Sequence, residues 1–180
     1  AYQTPAFSGL QAAAMYSFKA DSQTDKDSRE NSSFADRYAA AGLRYKAGKA
    51  AVVLAADYTM YSNATNPDLD DGYSVILGGN YDFGVAKVFA KATYFDNQLN
   101  YVDSFKLIPD TVALKGWGAE ISTAVPAFGG AFLGTIGYRD AKDVDDGSYK
   151  FKRWNAAVGY TYAFSKRTNV YGLAGYAQEK

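Results

Sequence analysis

The chain has 180 residues, enough for one domain with a sizeable core, and its nineteen basic and nineteen acidic residues cancel, so no bulk charge points to nucleic acid. It contains neither cysteine nor histidine, which excludes disulfides, thiolate catalysis, zinc ribbons and every His-dependent triad, and removes the commonest metal ligand. No stretch approaches the ~18 apolar residues of a membrane helix, but a membrane barrel needs only every second residue to be apolar.

Taken in chain order, ten segments alternate between apolar or aromatic residues and small or polar ones. They predict strands over 1–7, 10–19, 37–47, 50–61, 73–83, 86–95, 115–127, 130–140, 152–164 and 168–178. Most are close to the ~9–11 residues that a tilted transmembrane strand requires. The opening "AYQTPAF" and the closing "GYAQEK" both read as strand, so the sequence is expected to be part of something longer.

The connections alternate in length. Short ones fall at Ser8-Gly9, Gly48-Lys49, Asp82-Phe83-Gly84, Phe128-Gly129-Gly130 and Ser165 to Thr168; long polar ones lie around 20–36, 62–72, 96–114 and 141–151. In an up-and-down meander, every second connection lies on the same side. One side therefore has tight turns and the other has long loops, as in outer-membrane barrels, whereas Greek-key crossovers would scramble the order. The fold class expected is all-β, an antiparallel up-and-down transmembrane β-barrel.

Large aromatics sit near both strand ends. Phe7, Tyr45, Tyr81, Phe83, Phe128 and Phe164 lie near the tight turns; Phe18, Tyr61, Tyr73, Tyr94, Trp117, Tyr138, Trp154 and Tyr176 lie near the loops. Between them the same faces carry residues such as Ala12, Ala41, Leu54, Val75 and Ala92. Two aromatic rings bounding an apolar band are what a bilayer selects. The expected girdle includes Phe18, Tyr45, Tyr73, Tyr81, Tyr94, Trp117, Tyr138, Trp154 and Phe164.

The alternate face is polar or small. Its charged members, the expected pore-lining set, are Lys19, Arg44, Lys46, Asp57, Lys87, Lys91, Glu120, Arg139 and Arg153, with Asp82 beside them. Seven cations against three carboxylates would favour anions in a water-filled lumen. In the last strand, either Val170/Gly172/Ala174/Tyr176 or Tyr171/Leu173/Gly175/Ala177 could be the apolar face. Phe89, Phe95 and Tyr171 are candidate inward aromatics, too scattered to form a stacking track for sugars. A plugged adhesive barrel is the other alternative.

Other motifs carry little. Asp143-x-Asp145-Asp146-Gly147 resembles half a calcium loop but lacks the terminal Glu. Asn31-Ser32-Ser33 and Asn63-Ala64-Thr65 match a glycosylation pattern that matters only on a eukaryotic secretory route. Asp82-Phe83-Gly84 has no companion kinase motif. No catalytic residue, metal or cofactor is expected.

The segments "TPAFSGLQAAAMYSF" (4–18), "RYAAAGLRYKAGKAAVVLAADY" (37–58) and "YTYAFSKRTNVYG" (160–172) resemble the general porins of Gram-negative bacteria, especially those of β-proteobacteria. The hairpin at Ser165-Lys166-Arg167-Thr168 is the most specific part of the resemblance. It implies a sixteen-stranded homotrimeric barrel in the outer membrane, among lipid and lipopolysaccharide, passing small hydrophilic solutes and anions by passive diffusion. The whole stretch 1–180 would then supply strands six to fifteen. The N-terminal strands, the constriction loop and the last strand would lie outside it. The family's basic wall cluster would include Arg44, Lys87, Arg139 and Arg153.

Overall fold

In a computed structural model, residues 1–20, 30, 35–62, 70–100, 112–165 and 167–179 are described. The two glycosylation triplets, much of the loops near 21–34, 63–69 and 101–111, and Lys166 lie outside that set.

Ten antiparallel strands form one sheet in strict sequence order. They are β1 (Tyr2–Gln3), β2 (Leu10–Ser17), β3 (Arg37–Ala47), β4 (Ala50–Met60), β5 (Gly72–Asp82), β6 (Lys87–Asn100), β7 (Val112–Ala127), β8 (Gly130–Asp143), β9 (Lys150–Ser165) and β10 (Thr168–Glu179). Each pairs only with its chain neighbours, so every connection is a hairpin.

The first strand is shorter than its alternation predicts. Pro5 has no N–H to give to a ladder. Pairing is Gln3↔Ala13 on one side of it and Phe7↔Leu10 on the other. The first side of the hairpin thus holds one extra residue, a bulge bridged by Thr4, whose Oγ1 accepts from the Ala12 N–H at 2.9 Å. The β6–β7 hairpin runs longer than its alternation predicts. A register shift between Phe95 and Gln98, with Asn97 at φ +49°, lets the ladder continue to Asn100↔Val112.

Tight turns owe their geometry to residues at positive φ. Ser8 and Gly9 stand at +48° and +84°, Phe128 and Gly129 at +52° and +77°. Two consecutive positive angles match the right-handed twist of the flanking strands. Phe128 is an unusual occupant of that region. Its ring meets Phe132 edge-on at 6.4 Å, and the Tyr160 hydroxyl donates to the Phe128 carbonyl at 3.0 Å.

Among the described residues the sheet encloses almost no core of its own. Phe95, Leu114 and Ala141 form one small buried cluster with Phe151 against it, while Leu43, Leu77, Ile121, Ile136 and Val158 are exposed.

Candidate pore wall and membrane face

Direct cross-strand partners point to the same side of a sheet, so the register sorts every strand residue onto one of two faces. One face is aromatic at both ends and apolar between. Tyr45↔Val52↔Gly79, Leu43↔Leu54↔Leu77↔Ala92 and Ala41↔Ala56↔Val75↔Tyr94 belong to it, as do Ile121↔Ile136↔Ala156 and Phe132↔Tyr160. Tyr45, Tyr73, Tyr81, Tyr94, Trp117, Tyr138, Trp154 and Phe164 all lie on this side. Phe18 sits just past β2 and meets Tyr16 edge-on at 4.8 Å. Tyr61 lies past the end of β4, and Tyr58 holds the girdle position on that strand.

The loop-end aromatics form a stepped ladder. Tyr58↔Tyr73, Tyr94↔Trp117 and Tyr138↔Trp154 are direct partners. Tyr73–Tyr94, Trp117–Tyr138 and Trp154–Tyr176 are diagonal pairs with ring centroids 6.1, 5.6 and 5.3 Å apart. Each diagonal step moves two residues toward the tight-turn end, an average of one residue per strand. A polar collar above the rings takes their polar tips. Tyr58, Tyr94 and Tyr138 hydroxyls donate to Asp71, Asp96 and Asp140 at 2.8, 3.5 and 3.4 Å, and Trp154 Nε1 donates to Gln178 Oε1 at 3.0 Å.

Register also decides β10. Val170↔Tyr162, Gly172↔Tyr160, Ala174↔Val158 and Tyr176↔Ala156 place Val170, Gly172, Ala174 and Tyr176 on the aromatic face. Tyr171, Leu173, Gly175, Ala177 and Glu179 fall on the other. Alternation alone could not separate the two sets, because both contain a tyrosine, a glycine and aliphatics.

The polar face carries Arg44, Lys46, Asp57, Lys87, Lys91, Glu120, Arg139 and Arg153, together with Asp82, Phe89 and Phe95. Lys19 lies past the end of β2 and belongs to no strand face. Lys91 and Glu120 are direct partners, with Nζ and Oε2 3.6 Å apart. Asp57 accepts from the Ser74 hydroxyl of the facing strand. Lys87 stands opposite Asp82, with its Nζ 5.3 Å from the Phe89 ring centroid.

Two arginines dominate the loop end of this face. Arg139 and Arg153 are direct cross-strand partners. Arg153 pairs with Glu179 at 3.2 Å, and the guanidinium of Arg139 stacks 4.5 Å from the Phe95 ring centroid. Gly116 and Gly118 of β7 stand opposite Phe95 and Arg139, leaving the strand between them bare. Arg139, Arg153, Phe95 and Gly118, with Lys91, Glu120 and Asn155, line a hollow of 350 Å³.

Glu179 and Asp143 lie past the strand ends that the alternation predicts at 178 and 140; β10 and β8 extend to them, and register places both on the polar face. The described strands thus place six cations and five carboxylates on the polar face, a narrower margin than the seven against three expected. The cations still outnumber local partners. Arg44, Lys46 and Arg139 have no carboxylate within 4 Å among the described residues.

With the two faces laid out, the family model for Gram-negative porins matches residues 1–180. The chain belongs to that family. Such proteins reside in the outer membrane of Gram-negative bacteria, and that is the location of this porin. An outer membrane porin protein of Bordetella pertussis is 33% identical over 198 residues, covering 98% of this chain and 51% of the relative. A loop-deletion mutant of OmpT, an outer membrane protein of Vibrio cholerae, shares the fold with a TM-score of 0.71 at 14% identity, over 99% of this chain and 56% of that one. OmpF of Salmonella typhi, solved with daunomycin, gives 0.63 at 17% identity, over 96% and 57%. The chain spans about half the length of the relatives it matches.

Proposed function

We propose that the complete porin to which these ten strands belong forms a water-filled channel for passive diffusion of small hydrophilic solutes and ions, with a mild anion preference. The polar face is its lumen wall and the aromatic face meets lipid. The opposite assignment would expose Arg44, Lys91 and Arg139 to hydrocarbon, at about 2–4 kcal/mol for each near mid-bilayer. Family membership supports a channel rather than an enzyme, a sixteen-stranded barrel and a homotrimer.

The observation that carries the anion preference is the direct opposition of Arg139 and Arg153. Like charges facing each other across a ladder repel, and Glu179 neutralises only one of them. Arg139, 4.5 Å from the Phe95 ring centroid, is exposed and has no carboxylate within 4 Å among the described residues. The test is the reversal potential of the full-length porin in a planar bilayer under a potassium chloride gradient. Chloride should be favoured, and Arg139→Gln combined with Arg44→Gln should move the potential toward cations. A cation-favoured wild type would overturn the preference. A folded barrel without conductance would mean a plugged interior.

A further inference from the structure

The polar face carries an aromatic ring among groups that hydrogen-bond. Phe89 of β6 is exposed there, and its direct partners are Asn80 of β5 and Ser122 of β7. A ring thus stands between an amide and a hydroxyl in one row. The next row toward the loop end holds Gly78, Lys91 and Glu120 on the same three strands. Lys91 and Glu120 pair at 3.6 Å, and Glu120 also accepts from the Ser122 hydroxyl at 3.3 Å. The two rows therefore offer donors, acceptors and one ring with no net charge.

These six residues, with Val53 of β4, line a hollow of 280 Å³. Gly78 keeps it open. The backbone does not require glycine at that position, since a Cβ there would meet the Ala90 carbonyl oxygen and the Lys91 Cβ at 3.6 Å, ordinary contact. What the missing side chain provides is space in front of the wall. Lys87 stands on the turn side of Phe89, its Nζ 5.3 Å from the ring centroid, and the hollow lies on the loop side.

We infer that this hollow is a binding station for one neutral sugar ring. A pyranose has a face of C–H groups that suits the electron-rich face of an aromatic ring, and an edge of hydroxyls that both donate and accept. Phe89 takes the face; Asn80, Ser122 and the Lys91–Glu120 pair take the edge. A simple anion would meet Glu120 beside Lys91 and leave Phe89 without a role. An apolar solute would cover the amide and the ion pair without replacing their hydrogen bonds to water. The volume falls just short of the ~300 Å³ at which pockets for drug-sized ligands begin, so it suits one ring and not a chain of them. Phe95, the next ring on this face of β6, is about 20 Å further along the strand, so the site is a single station and not a track. The inference rests on the reading that the polar face lines a water-filled lumen, and it is independent of which ions that lumen prefers.

The test is the potassium chloride current of the full-length porin in a planar bilayer, titrated with glucose and in parallel with mannitol, an open-chain hexitol that has the hydroxyls but no ring face. Glucose should lower the current saturably, and mannitol only in proportion to its concentration. Phe89→Ala should raise the half-saturating glucose concentration about tenfold, the upper end of what an aromatic contact contributes. Asn80→Ala should raise it about fivefold, the share of one hydrogen bond. Gly78→Val, which fills the hollow, should abolish saturation, whereas Tyr171→Ala, which removes a ring elsewhere on the same face, should leave the glucose response unchanged. Current without sugar shows that a variant is folded, and Phe89→Ala, which only removes atoms, keeps the inference testable where Gly78→Val does not assemble. Equal responses to glucose and mannitol, or unchanged saturation in Phe89→Ala, would overturn the station. A response to glucose 6-phosphate without one to glucose would overturn it in favour of an anion site. A wild type without current would overturn the pore reading and the station together, whereas an open channel indifferent to glucose would overturn the station alone.

Discussion

Glycines on the polar face decide how closely strands and side chains approach. A Cβ on Gly116 would lie 2.1 Å from the Asp140 carbonyl oxygen, whereas one on Gly118 would meet nothing nearer than 3.4 Å. Gly116→Ala is therefore expected to break the β7–β8 ladder and lower the yield of heat-modifiable folded barrel, and Gly118→Ala to leave that yield close to wild type. Semi-native gel mobility of refolded full-length protein reads both. Which glycine is the sensitive one was not legible from the alternation, because Gly116 and Gly118 occupy equivalent positions on one strand face. Only the local approach of β8 separates them. The charged residues were more legible, since any Arg or Lys between two neighbours on the aromatic face must point away from them. What escaped was their pairing. Lys91–Glu120 and the Arg139–Phe95 stack depend on register across 29 and 44 residues of chain, read from the numbering of the partners.

At the scale of single elements, the β8–β9 connection shows how a polar loop is held without a core. Asp143 Oδ1 accepts from the Asp145 and Asp146 N–H groups at 2.8 and 3.2 Å, and Asp146 Oδ1 accepts from the Ser148 N–H at 2.9 Å. The backbone closes the turn, with the Tyr149 N–H donating to the Asp146 carbonyl at 3.0 Å. This is an Asx-type arrangement, which explains the Asp-rich spacing without calcium. Hydrogen bonds from the Ser148 side chain and then its backbone hold the Asp146 carboxyl below its ordinary value. A depressed carboxylate contributes order that is present above its unfolded value and is lost as pH falls through the folded one. The protection factor of the Ser148 amide, its intrinsic exchange rate divided by the measured rate at the same pH, should therefore fall on acidification below the ordinary carboxylate range. In Asp146→Asn that pH dependence should be blunted, and exchange measured by mass spectrometry or NMR checks both. Strand ends moved for equally local reasons. Pro5 shortened β1, and a bulge carried by Asn97 lengthened β6, features that alternation registers only as noise.

For the whole molecule, the girdle gives the strand tilt. A level ring that descends one residue per strand shifts about 3.3 Å along the chain for every ~4.8 Å across the sheet, a tilt of roughly 35°. Polarised infrared spectroscopy of aligned bilayers containing the full-length porin should find its strands near that angle from the membrane normal, and a value near zero would mean that the ladder is not level with the bilayer. From Tyr73 to Tyr81, eight residues of β5 at that tilt span about 22 Å of membrane height, close to the ~25 Å apolar band of outer-membrane barrels. The aromatic rings, the apolar band and the tilt therefore describe one bilayer-sized object.

Strand number, strand order, hairpin connectivity and the division of most strands into an aromatic and a polar face were written in this sequence, because each follows from a two-residue period and from turns that are local in the chain. The face of β10, the extra residues at Pro5 and Asn97, the row of Asn80, Phe89 and Ser122 and the opposition of Arg139 to Arg153 were decided only by the assembled sheet. All of these depend on register between strands. Register depends on how two separate segments align, and a one-residue slip turns every side chain of a strand to the other face, a difference that no single strand carries in its own pattern.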